Sequence, residues 1–383
     1  NTSKVDFIAP SFEWPESKIL NVTYTRLLPM DVDMTLTYLN SRDEEALYKI
    51  VDTGYPLVGD QPTVPTKKAP DGRPIYNQTG NYSYHAGLYN ECCGEREVIS
   101  ATFAKAFRDG DTFISISYTG QDADLLNGMT SSTSNSNFGK TGAVDFNNRV
   151  PRRSIYETEH RFLATLKSKH YFFGSDKPTT FSLVYTRESG NTKYPTFDTY
   201  TGFEGDYQTK AFGYEFNLND DSSSLLYIPT RSDPIICYSY KCTDEGSADA
   251  LAREEAVLDL LYNVFGLEGY AGQIAPRDAG NFPWQTSLDL NIIQELPGLR
   301  DDDSFIVTFA IENLLNFLDD DDGIINYGYY SGRIPVIDLR IVDDSKYDYS
   351  RNAFRYSFDD PFNIDRSTTQ SLWRASLGFQ YKF

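Results

Sequence analysis

From Trp373 to the end of the chain, apolar and polar residues alternate without a break. Trp373, Ala375, Leu377, Phe379, Tyr381 and Phe383 take the odd positions; Arg374, Ser376, Gly378, Gln380 and Lys382 take the even ones. Successive side chains point to opposite faces of a β-strand, so this segment has one apolar face and one polar face. An apolar face of this kind packs on a core in a water-soluble edge strand. In a transmembrane β-barrel it meets lipid, while the polar face lines a wet lumen. Both readings are open for this segment alone.

The same pattern recurs along the chain. Leu20, Val22 and Tyr24 alternate with Asn21, Thr23 and Thr25, and Met34, Leu36 and Tyr38 with Asp33, Thr35 and Thr37. Strands are predicted at about 97–107 and 112–119, joined by Arg108-Asp109-Gly110-Asp111, whose Asp-Gly step suits a tight hairpin. Others fall at about 158–170 and 179–187, where Phe181, Leu183 and Tyr185 oppose Thr180, Ser182 and Thr186. Trp284, Thr286, Leu288, Leu290 and Ile292 then alternate with Gln285, Ser287, Asp289, Asn291 and Ile293. After the polar turn Pro297-Gly298-Leu299-Arg300-Asp301-Asp302-Asp303, Phe305, Val307, Phe309 and Ile311 alternate with Ser304, Thr308 and Glu312. Runs near 334–341 and 351–358 precede the last strand. The expectation is an all-β, antiparallel transmembrane barrel with about eleven or twelve strands present, most near the ~10 residues of a tilted membrane-crossing strand.

The joins between strands alternate between a few residues and long stretches such as 42–95, 120–157 and 188–282. Short turns at one rim and long loops at the other are the asymmetry of outer-membrane barrels, whereas a soluble sandwich more often spaces strands evenly. One stretch breaks the β pattern. From Ala248 to Phe265, Leu251, Val257 or Leu258, Leu261, and Val264 or Phe265 share a helical face, closed by Gly266. It reads as one short loop helix packed against the rim.

Composition narrows the class. The 383 residues carry 35 Lys and Arg against 55 Asp and Glu, a net charge of −20, which argues against a nucleic-acid partner. No run approaches the ~18 apolar residues of a membrane-spanning helix. Aromatics at 15% exclude a disordered chain. A mean hydropathy of −0.47 is compatible with a barrel, because half of each strand and all of the loops face water. The chain opens on Asn1 with no charged, apolar leader, as expected of a processed protein or a fragment.

Several blocks, in order, resemble the Oar-like TonB-dependent outer-membrane receptors. They begin with Phe12-Glu13-Trp14-Pro15, Arg26-Leu27-Leu28-Pro29-Met30 and Asp71-Gly72-Arg73-Pro74-Ile75-Tyr76. Glu159-His160-Arg161, Leu226-Tyr227-Ile228-Pro229-Thr230 and Arg277-Asp278-Ala279-Gly280-Asn281-Phe282-Pro283-Trp284 follow, then Ile311-Glu312-Asn313-Leu314-Leu315-Asn316 before an acidic turn. The resemblance implies a bacterial outer-membrane location, lipid as a partner, and passage of an unknown extracellular substrate. It also implies that residues 1–383 are the C-terminal part of a barrel of about 22 strands, which at roughly 32 residues per strand needs about 700 residues. The plug domain, the remaining strands and the N-terminal segment that contacts TonB would lie outside this sequence. Where the family tends to carry a glycine-containing, calcium-suggestive stretch, this chain has Asn217-Leu218-Asn219-Asp220-Asp221-Ser222 without the glycines. The alternatives are a complete small channel of about twelve strands, whose first and last strands would pair, and a secreted adhesin or sugar-binding β protein.

Candidate chemistry is sparse. Asp301-Asp302-Asp303, Asp319-Asp320-Asp321-Asp322-Gly323 and Asp343-Asp344 invite a loop calcium, with Asp319, Asp320 and Asp321 as its ligands. The run lacks the alternate spacing and distal Glu of an EF-hand loop, so solvated turns are the reading kept. No other cofactor is expected. Cys92, Cys93, Cys237 and Cys242 are disulfide candidates in an oxidising compartment, with three connectivities open and pairing across loops favoured over a strained 92–93 bridge. His85, His160 and His170 have no metal-ligand spacing, and His160 is expected to face the lumen in a hydrogen bond. No nucleophile elbow, phosphate loop or dinucleotide motif is present, and no enzyme is expected. The 28 Tyr and the Trp residues suit girdles at lipid interfaces; Tyr327, Tyr329 and Tyr330, in loops, are placed to meet a ligand.

Overall fold

A computed structural model describes residues 5–51, 67–68, 71–75, 85–126, 129, 131–139, 141–173, 177–190, 194–201, 224–231, 233, 235–238, 246–300, 303–325, 333–341, 356–358 and 371–383. Its largest element is an antiparallel meander of nine strands. These are β1 (Ser17–Leu28), β2 (Val32–Val51), β3 (His85–Phe107), β4 (Thr112–Leu125), β5 (His160–His170), β6 (Thr179–Glu188), β7 (Gln285–Pro297), β8 (Ser304–Glu312) and β9 (Arg374–Lys382). Each pairs with the next in sequence. Two short pieces extend the sheet: Val5–Ile8 lies parallel to His85–Leu88, and Arg152–Arg153 pairs with the end of β4.

The joins follow the alternation expected from sequence. Residues 29–31, 108–111, 171–178 and 298–303 make four short turns at one end, and 52–84, 126–159, 189–284 and 313–373 make four long loops at the other. At the 108–111 turn, Arg108, Asp109 and Gly110 all have positive φ, a tight reversal that Gly110 enters without steric cost.

The period-two pattern becomes two continuous faces. Met34, Phe103, Ile116, Ala164, Tyr185 and Leu288 stand side by side across β2 to β7, with Leu166, Leu183, Leu290 and Ile311 alongside. The belt is uneven in its exposure: Val22, Ile116, Leu377 and Phe379 are all more than half exposed, whereas Leu183, Tyr185, Leu288 and Leu290 are half-buried and Ile311 is buried. On the opposite face the matching row is Thr35, Thr102, Ser117, Leu163, Thr186 and Ser287. Cross-strand hydroxyl contacts run along it, Thr23 to Thr37 at 3.3 Å and Thr102 to Ser117 at 2.9 Å.

The meander is open. β1 and β9 end the strand order and do not pair with each other, so the strand closure of a small complete channel is not formed among the described residues. Arg333–Ile341 and Tyr356–Phe358, expected as members of the main run, belong instead to a separate sheet with Tyr194–Thr201 and Ile236–Cys237. Arg333–Ile341 runs parallel to Tyr194–Thr201, so its pairing is set by a distant loop strand rather than by its sequence neighbours. The Ala248–Asp259 helix is present, continues as a π turn through Val264 and ends before Gly266 at φ +70°. Val257, Leu258, Leu261 and Phe265 are buried as expected, but Ala250 rather than Leu251 covers the core in the first turn. Two further short helices, Ser134–Gly139 and Leu314–Leu318, were not foreseen. No helix among the described residues is long and apolar enough to cross a membrane.

Candidate functional site: the loop cap

The main hydrophobic core lies in the long loops rather than beneath the sheet. Phe138 and Phe146 from the β4–β5 loop pack with Leu226, Ile228, Leu261 and Phe282 from the β6–β7 loop. The loop ends of β2 and β3 reach into this cap: Leu47 and Ala86 are fully buried. Burying these side chains at roughly 25 cal/mol per Å² of apolar surface makes the cap a folded body, not a set of independent loops.

Three arginines, each at least nine-tenths buried, tie it together. Arg73 pairs with Asp71 at 2.7 Å and donates to the Leu225 carbonyl at 2.8 Å, joining the β2–β3 and β6–β7 loops. Arg277 donates to the carbonyls of Leu125 (2.7 Å), Arg152 (3.3 Å) and Leu126 (3.4 Å), joining the β6–β7 loop to the β4–β5 loop. Arg149 donates to Thr141 O at 3.1 Å and to Phe138 O within its own loop. A buried charge is tolerated where several oxygens meet its donors, and a guanidinium offers five donors in a fixed plane.

A second network fixes the cap to the sheet rim. Arg153 pairs with Glu157 and Glu159, both at 2.7 Å, and donates to Asn281 Oδ1 at 2.7 Å. Glu157 also accepts the Ala123 amide at 2.6 Å. Burial pushes the Glu157 carboxyl above the ordinary range, against the opposing pull of the Ala123 amide and Arg153. Beside it, His160 Nδ1 meets the Tyr118 hydroxyl at 2.9 Å and its ring stacks on Trp284, with Arg187 5.4 Å from the indole. His160 therefore does not sit on the polar face as expected. It is in phase with Phe162, Ala164 and Leu166 and marks the loop-end border of the apolar belt. Deeper in the cap, burial followed by the Asp233 hydrogen bond at 2.7 Å raises the Tyr227 hydroxyl, and burial raises that of Tyr238.

Between the loops is a cleft of about 300 Å³, lined by apolar groups of Leu126, Ala143, Val144 and Ile274 and by Arg149, Arg152 and Arg277. Sequence reasoning missed these arginines. Arg73 and Arg277 fall in blocks quoted for the family resemblance, but apolar periodicity carries no information about them.

The residues proposed from sequence fare differently. Asp319, Asp320 and Asp321 are exposed and form a turn in which the Asp321 amide donates to Asp319 Oδ1 at 3.0 Å. Among the described residues no three His, Cys, Asp or Glu side chains gather to hold a metal. Cys92 and Cys93 lie side by side at a β3 bulge opposite Glu44, where the register slips between Asp43 and Glu45 and the two sulfurs face each other. Cys237 is disulfide-bonded, and Cys242 lies outside the described residues. So do Asn217–Ser222, Asp301, Asp302, Asp343, Asp344, Tyr327, Tyr329 and Tyr330. No protein-family model matches the chain, and no curated protein matches it.

Proposed function

We propose that the nine-strand meander is the lipid-facing wall of a bacterial outer-membrane β-barrel, and that the chain is the C-terminal barrel portion of a TonB-dependent receptor. One observation carries the first part: an apolar face that runs across nine sequential antiparallel strands, well exposed on β1, β3 to β5 and β9 and half-buried on β6 and β7, with a hydroxyl-rich face behind it. In water such a belt would cost roughly 25 cal/mol per Å² left uncovered; in a bilayer it needs no partner. The four short turns and four long loops support the same orientation, with the cap on the outer side.

The TonB-dependent part rests on the sequence blocks quoted above and on the open edges of β1 and β9, which further strands would complete. In this reading the barrel wall and cap belong to a gated transporter. The plug, the remaining strands and the TonB-contacting segment are supplied by sequence outside these residues, and the long loops meet the substrate.

Tryptophan quenching tests the lipid reading. Trp284 and Trp373 lie at the loop-end border of the belt, so brominated phospholipid should quench the reconstituted protein strongly. Emission unaffected by bromination would overturn the lipid wall and leave a secreted β protein. For the receptor reading, the measurement is the intact mass of the protein taken from outer membranes. About twice 43.5 kDa or more supports it; a mass near 43.5 kDa sinks it in favour of a small barrel.

A further inference from the structure

We infer that the cleft in the loop cap is a binding site for a small organic carboxylate with an apolar body, received at the Arg152 guanidinium. The inference concerns the cap alone and does not depend on what surrounds the sheet. At about 300 Å³ the cleft is at the small end of ligand sites, enough for a single-ring molecule. Leu126 and Leu225 are buried in its floor, and Val144 and Val150 stand exposed beside it, so an apolar body finds contact on both levels.

Its charged lining is cationic on balance, with three arginines against Asp145. The oxygens of Asp145 accept the amides of Asn147 at 3.0 Å and Asn148 at 3.2 Å, and the Asn148 side chain at 3.0 Å. Arg149 and Arg277 are committed to backbone carbonyls and act on the cleft through their charge. Arg152 is different. Its side chain is half exposed, and its ion pair with Asp278 is long, 3.8 Å. Asp124 also faces Arg152 and Arg277, with Asp122 and Asp278 close by, so carboxylates stand behind two of the arginines that line the cleft. A carboxylate that enters can form the planar, two-pronged pair with Arg152 that Asp278 does not, at the shorter distances of a charge-assisted bond.

The test is ¹⁹F line broadening of three probes with the purified protein in detergent: 4-(trifluoromethyl)benzoate, the matching benzyl alcohol and the matching benzylamine. The alcohol reports micelle partitioning. The benzoate is expected to bind at least tenfold more tightly than the alcohol, and the amine not to bind. Arg152→Ala should abolish the preference for benzoate, and Val144→Trp, an exposed position that fills the cleft, should remove binding altogether. Asp278→Asn, which frees Arg152 without touching the cleft wall, should tighten the benzoate several-fold. Equal broadening by all three probes, or benzoate binding indifferent to Val144→Trp and Asp278→Asn, overturns the site.

Discussion

Asn313 and Gly323 close the base of the β8–β9 loop: the Asn313 side-chain amide donates to the Gly323 carbonyl at 2.9 Å. The same nitrogen donates to Ser371 O at 2.7 Å, just before β9 begins. Both residues have positive φ, and the Gly323 Cα packs against the Asn313 carboxamide so closely that no side chain fits there. The loop thus leaves β8 and returns to β9 through one buried amide. The acidic run between them is a turn whose carbonyls are gathered by Asn316, from Asp320 at 3.2 Å and Asp322 at 3.0 Å.

Asn313→Ala leaves two buried carbonyls unmet, a cost of about 1–3 kcal/mol. Denaturant unfolding should record that loss. Gly323→Ala should cost at least as much, because it meets both a steric clash and an unfavourable φ. If both variants match the wild type, the clasp is not a fixed feature of the folded chain.

The two faces of β6 offer a paired comparison. Leu183→Lys places a charge in the apolar belt and, in a bilayer, is expected to cost about 2–4 kcal/mol. Ser182→Lys, one residue away on the hydroxyl face, should be close to neutral. Folded fraction is read by the heat-modifiable gel shift in cold detergent. Equal tolerance of the two lysines would contradict a lipid-facing belt.

Removing Arg277 unties the cap without disturbing the meander. Arg277→Met keeps the length of the side chain but leaves the carbonyls of Leu125, Leu126 and Arg152 unsatisfied, a loss of about 2 kcal/mol confined to the loops. Limited proteolysis is expected to cut the 189–284 loop faster while the strands stay protected. Uniform sensitivity across the chain would mean that cap and sheet unfold together.

The clasp at Glu157 titrates. Its folded pKa is raised by burial, so the native state holds the proton more tightly than the unfolded chain does. The stability from this group is therefore fully present below the unfolded carboxyl value near 4.3 and is lost as pH rises through the folded value. Relative to Glu157→Gln, the wild type should gain stability as pH falls from 7 toward 4. Parallel stability-versus-pH curves for the two proteins would refute the assignment.

Much of the fold was legible because its signal is local. Alternation at Leu288, Leu290 and Ile292, or at Phe305, Val307 and Phe309, sets strand, face and register within a few residues. The Asp109-Gly110 turn follows from the same kind of neighbour chemistry. Even the side of the sheet occupied by His160 was within reach, since it lies two residues from Phe162 and must share its face. The expectation of a polar face failed by treating a polar residue as evidence of one, at the level where the belt ends and Trp284 stacks on the ring.

By itself, then, the sequence determined the antiparallel strands, their two faces, the short turns against long loops, and a buried stripe in the Ala248–Asp259 helix. Each depends on spacing that the chain carries with it. The tertiary structure alone decided that the loops share one core, that Arg73, Arg149 and Arg277 are buried, and that Arg333–Ile341 leaves the meander to pair with Tyr194–Thr201. It also decided that β1 and β9 stay apart and that Cys92 and Cys93 sit together at a bulge in β3. Most of these depend on partners tens to hundreds of residues away; Arg149 is met by carbonyls 8 and 11 residues back in its own loop. Arg277 is satisfied, and Arg73 completed, only when distant carbonyls arrive around them, and no local pattern announces their arrival.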